Sequence, residues 1–208
     1  MTTKEDFTKK IESDKTSNQF SMLGSAVLWL FWPSFCAGIL DPVMVPYAAV
    51  NTVISLCGAT LATYMFSSLI RKKVEIADMA NAALAGGVAI GSTCAHASHK
   101  GAFIIGLLAG AISVIGFTLI QPRLQNMLKG IDTCGVHNLH GMPGLMGGIA
   151  AIFVVEGLSK GTQFKGIIIT VIIALVAGLA TGTVLSLLGH RKDSYNDAEE
   201  FIVSEQES

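Results

Sequence analysis

The sequence predicts an all-α, polytopic membrane protein with six transmembrane helices, and three observations lead there. Hydrophobic residues make up 51% of the 208 and charged residues 14%, with a mean hydropathy of +0.57, whereas soluble domains carry about 25% charge. The charges gather at the ends and in short segments, leaving long apolar runs between them. Lys and Arg, assigned to alternate sides of those runs, divide 11 to 3, as expected where cytoplasmic segments hold the positive excess.

Residues 1–19, MTTKEDFTKKIESDKTSNQ, are polar without an apolar core. They read as a cytoplasmic segment and neither as a signal nor as a transit peptide. A hydrocarbon core about 30 Å thick takes about 20 helical residues at 1.5 Å each. Runs of that order span Phe20 to Leu40, Tyr47 to Ile70, Ala77 to Thr93, Gly101 to Ile120, His137 to Glu156 and Gly166 to Gly189. Together they make a transmembrane domain over 20–190. Asp41, Pro42 and Pro46 mark the turn after the first run. The third run is short and carries Asp78 near its start.

An even number of spans places both termini on the cytoplasmic side, with Lys100, Lys160 and Lys165 on the other. Residues 191–208 then form a cytoplasmic tail. Pairs of glycines four apart, Gly106/Gly110, Gly144/Gly148 and Gly178/Gly182, let helix backbones approach closely in lipid. Cys36, Cys57, Cys94 and Cys134 form no CxxC and imply no disulfide framework. A net charge of −1 without a basic face gives no reason to invoke nucleic acid.

Ionisable groups inside a span cost about 3 kcal/mol or more, so an intramembrane histidine is a functional candidate. The fifth run places His137 and His140 one helical turn apart. A neutral imidazole offers one donor and one acceptor, which suits a hydrogen-bonded line for a small polar molecule. The alternative is that His140 bonds a backbone carbonyl of a neighbouring helix. Two histidines without an acidic or Cys cluster do not complete a metal site. His96 and His99 form a second HxxH that reads as a solvated outer loop, and His190 reads as interfacial. Trp32-Pro33-Ser34-Phe35 lies in the outer part of the first run; its aromatics either anchor the interface or constrict a pore. No GxxxxGK[ST] is present, no cofactor is implied, and no nucleophile and base pair up as in an enzyme.

The stretch DTCGVHNLHGMPGLMGGIAA, Asp132 to Ala151, resembles the signature of the Rhesus-glycoprotein branch of the ammonium transporter family. FSMLGSAVLWLFWPSF (Phe20 to Phe35), NAALAGGVAIG (Asn81 to Gly91) and GAFIIGLLAGAISVIGF (Gly101 to Phe117) match in the expected order, and DSYNDAEEF in the tail is similar to an acidic-aromatic segment of that branch. The family is a trimer of independently conducting subunits, each with two inverted five-helix repeats around a narrow apolar pore. The resemblance covers the second repeat and the final helix. It implies that ammonia or ammonium, with methylamine or carbon dioxide as further candidates, crosses such a pore.

Matched residue by residue, His140 is similar to the second of the family's paired pore histidines. Phe35 matches the inner ring of the phenylalanine gate, and Trp32 an aromatic of the outer vestibule. Asp132 matches a structural acid at the start of the pore helix; His137 and Asn138 lie beside it. Cys36 stands where that branch usually has Asn, and His137 where it often has Asn. The partner histidine and outer gate ring have no counterpart here, although a pore between inverted repeats needs both halves. The chain is then a fragment, a half that assembles with a first-half polypeptide, or a half that pairs with itself. A non-conducting structural or regulatory membrane subunit is the rival reading. The plasma membrane is the expected location.

Overall fold

The computed structural model describes residues 15–128, 132 and 135–188. The segment 1–14, the tail 191–208, His190 and Cys134 lie outside the described residues. Every regular element among those described is helical. The first, α1, is Lys15–Ala37 and α2 is Val45–Arg71. A broken segment follows: α3, Ile76–Asn81, a 3-10 turn, Ala82–Leu84, and α4, Ala85–Ile90. Then come α5, His99–Ile115, a π-helical turn, Gly116–Ile120, and α6, Gln121–Leu128. A second π-helical turn, His137–Gly141, leads into α7, Met142–Val154, and α8 is Lys160–Leu187.

Four stretches are long and apolar enough to cross a membrane: Lys15–Ala37, Val45–Arg71, His99–Leu128 and Lys160–Leu187. The third expected span is the shorter apolar stretch Ile76–Ile90, whose 15 residues rise about 22 Å at 1.5 Å each. The fifth begins as a π turn and is α-helical only from Met142. α1 and α8 each start five or six residues before the apolar runs read from the sequence, because helix continues into polar residues beyond an apolar stretch.

Asp41 sets the first turn: its Oδ1 accepts from Val43 N at 3.0 Å and its carbonyl from Met44 N at 2.8 Å. Pro46 then falls in the first turn of α2, where its missing N–H has no intrahelical partner to lose. Ser98 caps α5, its hydroxyl accepting from Gly101 N at 3.1 Å.

The core is the pairing of α2 with α5. A Cβ on Gly106 would overlap the carbonyl oxygen of Ser55, and one on Gly110 that of Ala59. The same four-residue step on both helices means that they run in the same direction. Gly147 of α7 approaches Ala89 of α4 in the same way. Gly178 and Gly182 have nothing within 4 Å, so their expected packing role is not met among the described residues. No residue of α8 is buried; it is tied to α7 by Gln163, whose Nε2 donates to Gly148 O at 2.9 Å, and by Ile167 over Gly148.

Asp78, 1% exposed, is compensated on the spot. Arg71 donates to both its carboxylate oxygens, at 2.8 and 3.0 Å, and Ser67 Oγ donates at 2.7 Å. The charge near the start of the third run is the buried half of an ion pair between α2 and α3.

Candidate functional site

Side chains of α1, α4 and the second π turn line a groove of about 680 Å³. Leu28, Phe31, Ile39 and Val88 supply apolar wall, and Trp32, Phe35 and His140 come together along it. The Trp32 indole lies on Gly87, where any Cβ would meet its ring. Its ring centre is 6.3 Å from Phe35, at 63° edge-on, and 6.4 Å from His140, at a 33° tilt. Phe35 is 81% exposed on the open side.

The polar groups of this wall are few and mostly spent. Ser34 Oγ donates to Phe31 O at 2.7 Å, and the Cys36 thiol contacts Gly87 O at 3.7 Å. His140 is exposed and makes no hydrogen bond among the described residues. The alternative of a bond to a neighbouring backbone carbonyl is therefore not realised within them. Its imidazole is open to a solute, with a donor and an acceptor in an otherwise apolar wall.

His140 sits in the π turn, where Met142 N–H bonds His137 O five residues back. Such turns replace the i→i+4 pattern and occur often at functional sites. His137 and His140, read from the sequence as one helical turn apart on one face, both fall within this π turn. His140 meets Trp32, whereas His137 is exposed, with Nδ1 3.4 Å from Asn138 Oδ1.

The turn is anchored from below. The Asp132 carboxylate accepts from Val136 N and His137 N, at 2.9 Å each, satisfying two donors that a helix start leaves unpaired. Gly135 takes φ +66°, a left-handed conformation that costs glycine nothing, with the Phe117 ring against its α-carbon. Asn138 is fully buried, and its Nδ2 donates to Gln121 Oε1 at 2.8 Å. Gln121 had no signal in the sequence, since its partners lie 11 and 17 residues away.

The HxxH segment divides. His96 is exposed in the turn before α5; His99, the first residue of α5, is exposed as well, but its ring is tied down. The buried Asn51 amide donates to Cys94 O at 2.8 Å and Ala97 O at 2.7 Å. Its Oδ1 is thereby the atom 2.7 Å from His99 Nδ1, so that nitrogen carries the proton. Tyr47 donates to Ala97 O at 2.8 Å and stacks on His99 with centroids 5.1 Å apart. Tyr47 and Asn51 lie four apart in α2, a spacing that puts both on one face and is the trace this staple leaves in the sequence.

Comparison with known proteins follows the same outline. The model of the Ammonium Transporter Family matches residues 2–202. Mouse ammonium transporter Rh type A is 43% identical, over 85% of this chain and 42% of its own length. Zebrafish ammonium transporter Rh type B is 39% identical, over 82% and 44%. The chain thus spans somewhat under half the length of these curated relatives. The solved structure of Nitrosomonas europaea Rh50, described as one of the Rhesus protein family of channels, superposes with a TM-score of 0.90 at 56% identity. It is matched over 97% of this chain and 53% of its own length. A Sensor Amt Protein at 22% identity and TM-score 0.73 shares the fold.

Proposed function

The chain belongs to the ammonium transporter family, and from that premise we propose that its groove is one wall of a pore carrying ammonia or ammonium across the membrane. The observation that carries this is His140, without a hydrogen bond among the described residues and tilted against Trp32 in a largely apolar wall. An apolar wall disfavours a charged solute. One imidazole can accept from the solute on one side and donate on the other as it passes. Phe35, exposed beside Trp32, narrows the outer approach to that point. Asp132, His137 and Asn138 hold the turn and are assigned no contact with the solute.

The chain is a multi-pass integral membrane protein. Its finer assignments are part of the same proposal. The open side of the groove receives the complementary repeat, whether supplied by the same polypeptide or by a first-half partner. The assembly is a trimer in the plasma membrane, and the 11 to 3 division of Lys and Arg supports cytoplasmic termini. Methylamine and carbon dioxide are further candidate solutes.

The test is flux in proteoliposomes containing the native full-length polypeptide, followed by internal pH after an ammonium jump, with methylamine and carbon dioxide run alongside. His140→Ala is expected to change the rate and pH profile, and Phe35→Ala to change the rate. A wild-type rate equal to that of protein-free vesicles would overturn the proposal in favour of a non-conducting subunit.

A further inference from the structure

We infer that Gln121 is a positioning residue for His140, acting as a clamp between the two π-helical turns; the inference rests on the pore reading above. Gln121 is the first residue after the π turn Gly116–Ile120, where its own N–H bonds Gly116 O five residues back. Its side chain spans the segment leading to His140. Nε2 donates to Asp132 O at 3.0 Å, and Oε1 accepts from Asn138 Nδ2 at 2.8 Å. Asp132 in turn holds Val136 N and His137 N. One amide therefore ties Asp132, ahead of the turn, to Asn138, the second residue within it, and His140 lies two residues beyond the second bond.

The two π turns also touch directly. Asn138 Oδ1 lies where a Cβ on Gly116 would stand 2.6 Å from it, so the close approach requires glycine. With Nδ2 on Gln121 and Oδ1 against Gly116, the fully buried Asn138 side chain is fixed at both ends. A π turn carries one extra residue relative to α-helix and is rare outside single-turn bulges, so bonds particular to this geometry are what set it against α-helical spacing. Relaxation to α-helical spacing would rotate His140 about the helix axis, away from Trp32 and out of the groove. Gln121 supplies two bonds that oppose this, one ahead of the turn at Asp132 and one within it at Asn138, without lining the groove itself.

Two readouts separate this role from plain stabilisation. In the native full-length polypeptide, Gln121→Leu keeps the bulk and loses both bonds; Gln121→Glu keeps the acceptor for Asn138 and loses the donor to Asp132. The rate of His140 modification by diethyl pyrocarbonate, read by peptide mass spectrometry on the folded protein, is expected to change roughly thirtyfold in Gln121→Leu, the ratio made by losing about two hydrogen bonds. Gln121→Glu should fall between it and wild type. In flux assays, Gln121→Leu should shift the pH profile in wild type and have no further effect in a His140→Ala background. Unchanged His140 reactivity in both Gln121 variants, or equal flux losses with and without His140, overturns the inference while leaving the pore reading intact. A wild type that does not conduct instead removes the pore reading, and the positioning role for transport falls with it.

Discussion

Replacing Asn51 by Leu should be among the most costly single changes on the outer side of the fold. Asn51 is fully buried and makes three contacts of 2.8 Å or less, to Cys94 O, Ala97 O and His99 Nδ1. At about 1 kcal/mol net for each bond, the loss is about 3 kcal/mol. Cys94 O loses its Asn51 partner, whereas Ala97 O keeps the Tyr47 hydroxyl, so the total is about 3 to 4 kcal/mol once that stranded carbonyl is included. Tyr47→Phe removes one bond from a carbonyl that still has Asn51, and should cost about 1 kcal/mol. Combined with Asn51→Leu it strands Ala97 O, so the double variant should exceed the sum of the singles by about 1 kcal/mol. Reversible unfolding in mixed dodecyl sulfate and maltoside micelles, followed by far-UV circular dichroism, gives the three values. Should Asn51→Leu cost no more than Tyr47→Phe, the amide is not the hub of this staple and the reasoning fails.

Arg71→Ala strands the buried Asp78 carboxylate, and with Arg71 itself about a third exposed the cost should be about 2 to 4 kcal/mol; the same micelle titration measures it, with Asp78→Asn expected to recover part of the loss. Asp132→Ala removes the acceptor for two helix-start donors and should cost about 1 to 2 kcal/mol, with Asp132→Ser closer to wild type. Gly106→Ala drives a methyl group into the Ser55 carbonyl and should cost about 1 to 3 kcal/mol. Gly178→Ala meets nothing within 4 Å, so a loss as large there would show that α8 is covered by another chain or repeat in the native assembly.

Much of this protein was legible in its residues because lipid imposes coarse rules that read directly as composition. The long apolar runs placed α1, α2, α5 and α8, since an unpaired backbone in hydrocarbon leaves helix as the available solution for a single segment. The histidine inside an apolar run marked His140 as a candidate, because an ionisable group there is expensive. The family resemblance carried Trp32 and Phe35 toward the same site. Only the tertiary structure decided which of these meet. His140 and Trp32 are 108 positions apart in sequence and become neighbours through the π turn, whose extra residue leaves no periodic signature. The same holds for Gln121, Asn51 and Asp78, whose partners are set by packing between helices. Hydropathy fixes which segments enter the membrane, but a hydrogen bond depends on direction and on a few tenths of an ångström, and those are settled only when the glycine-lined helices close on one another.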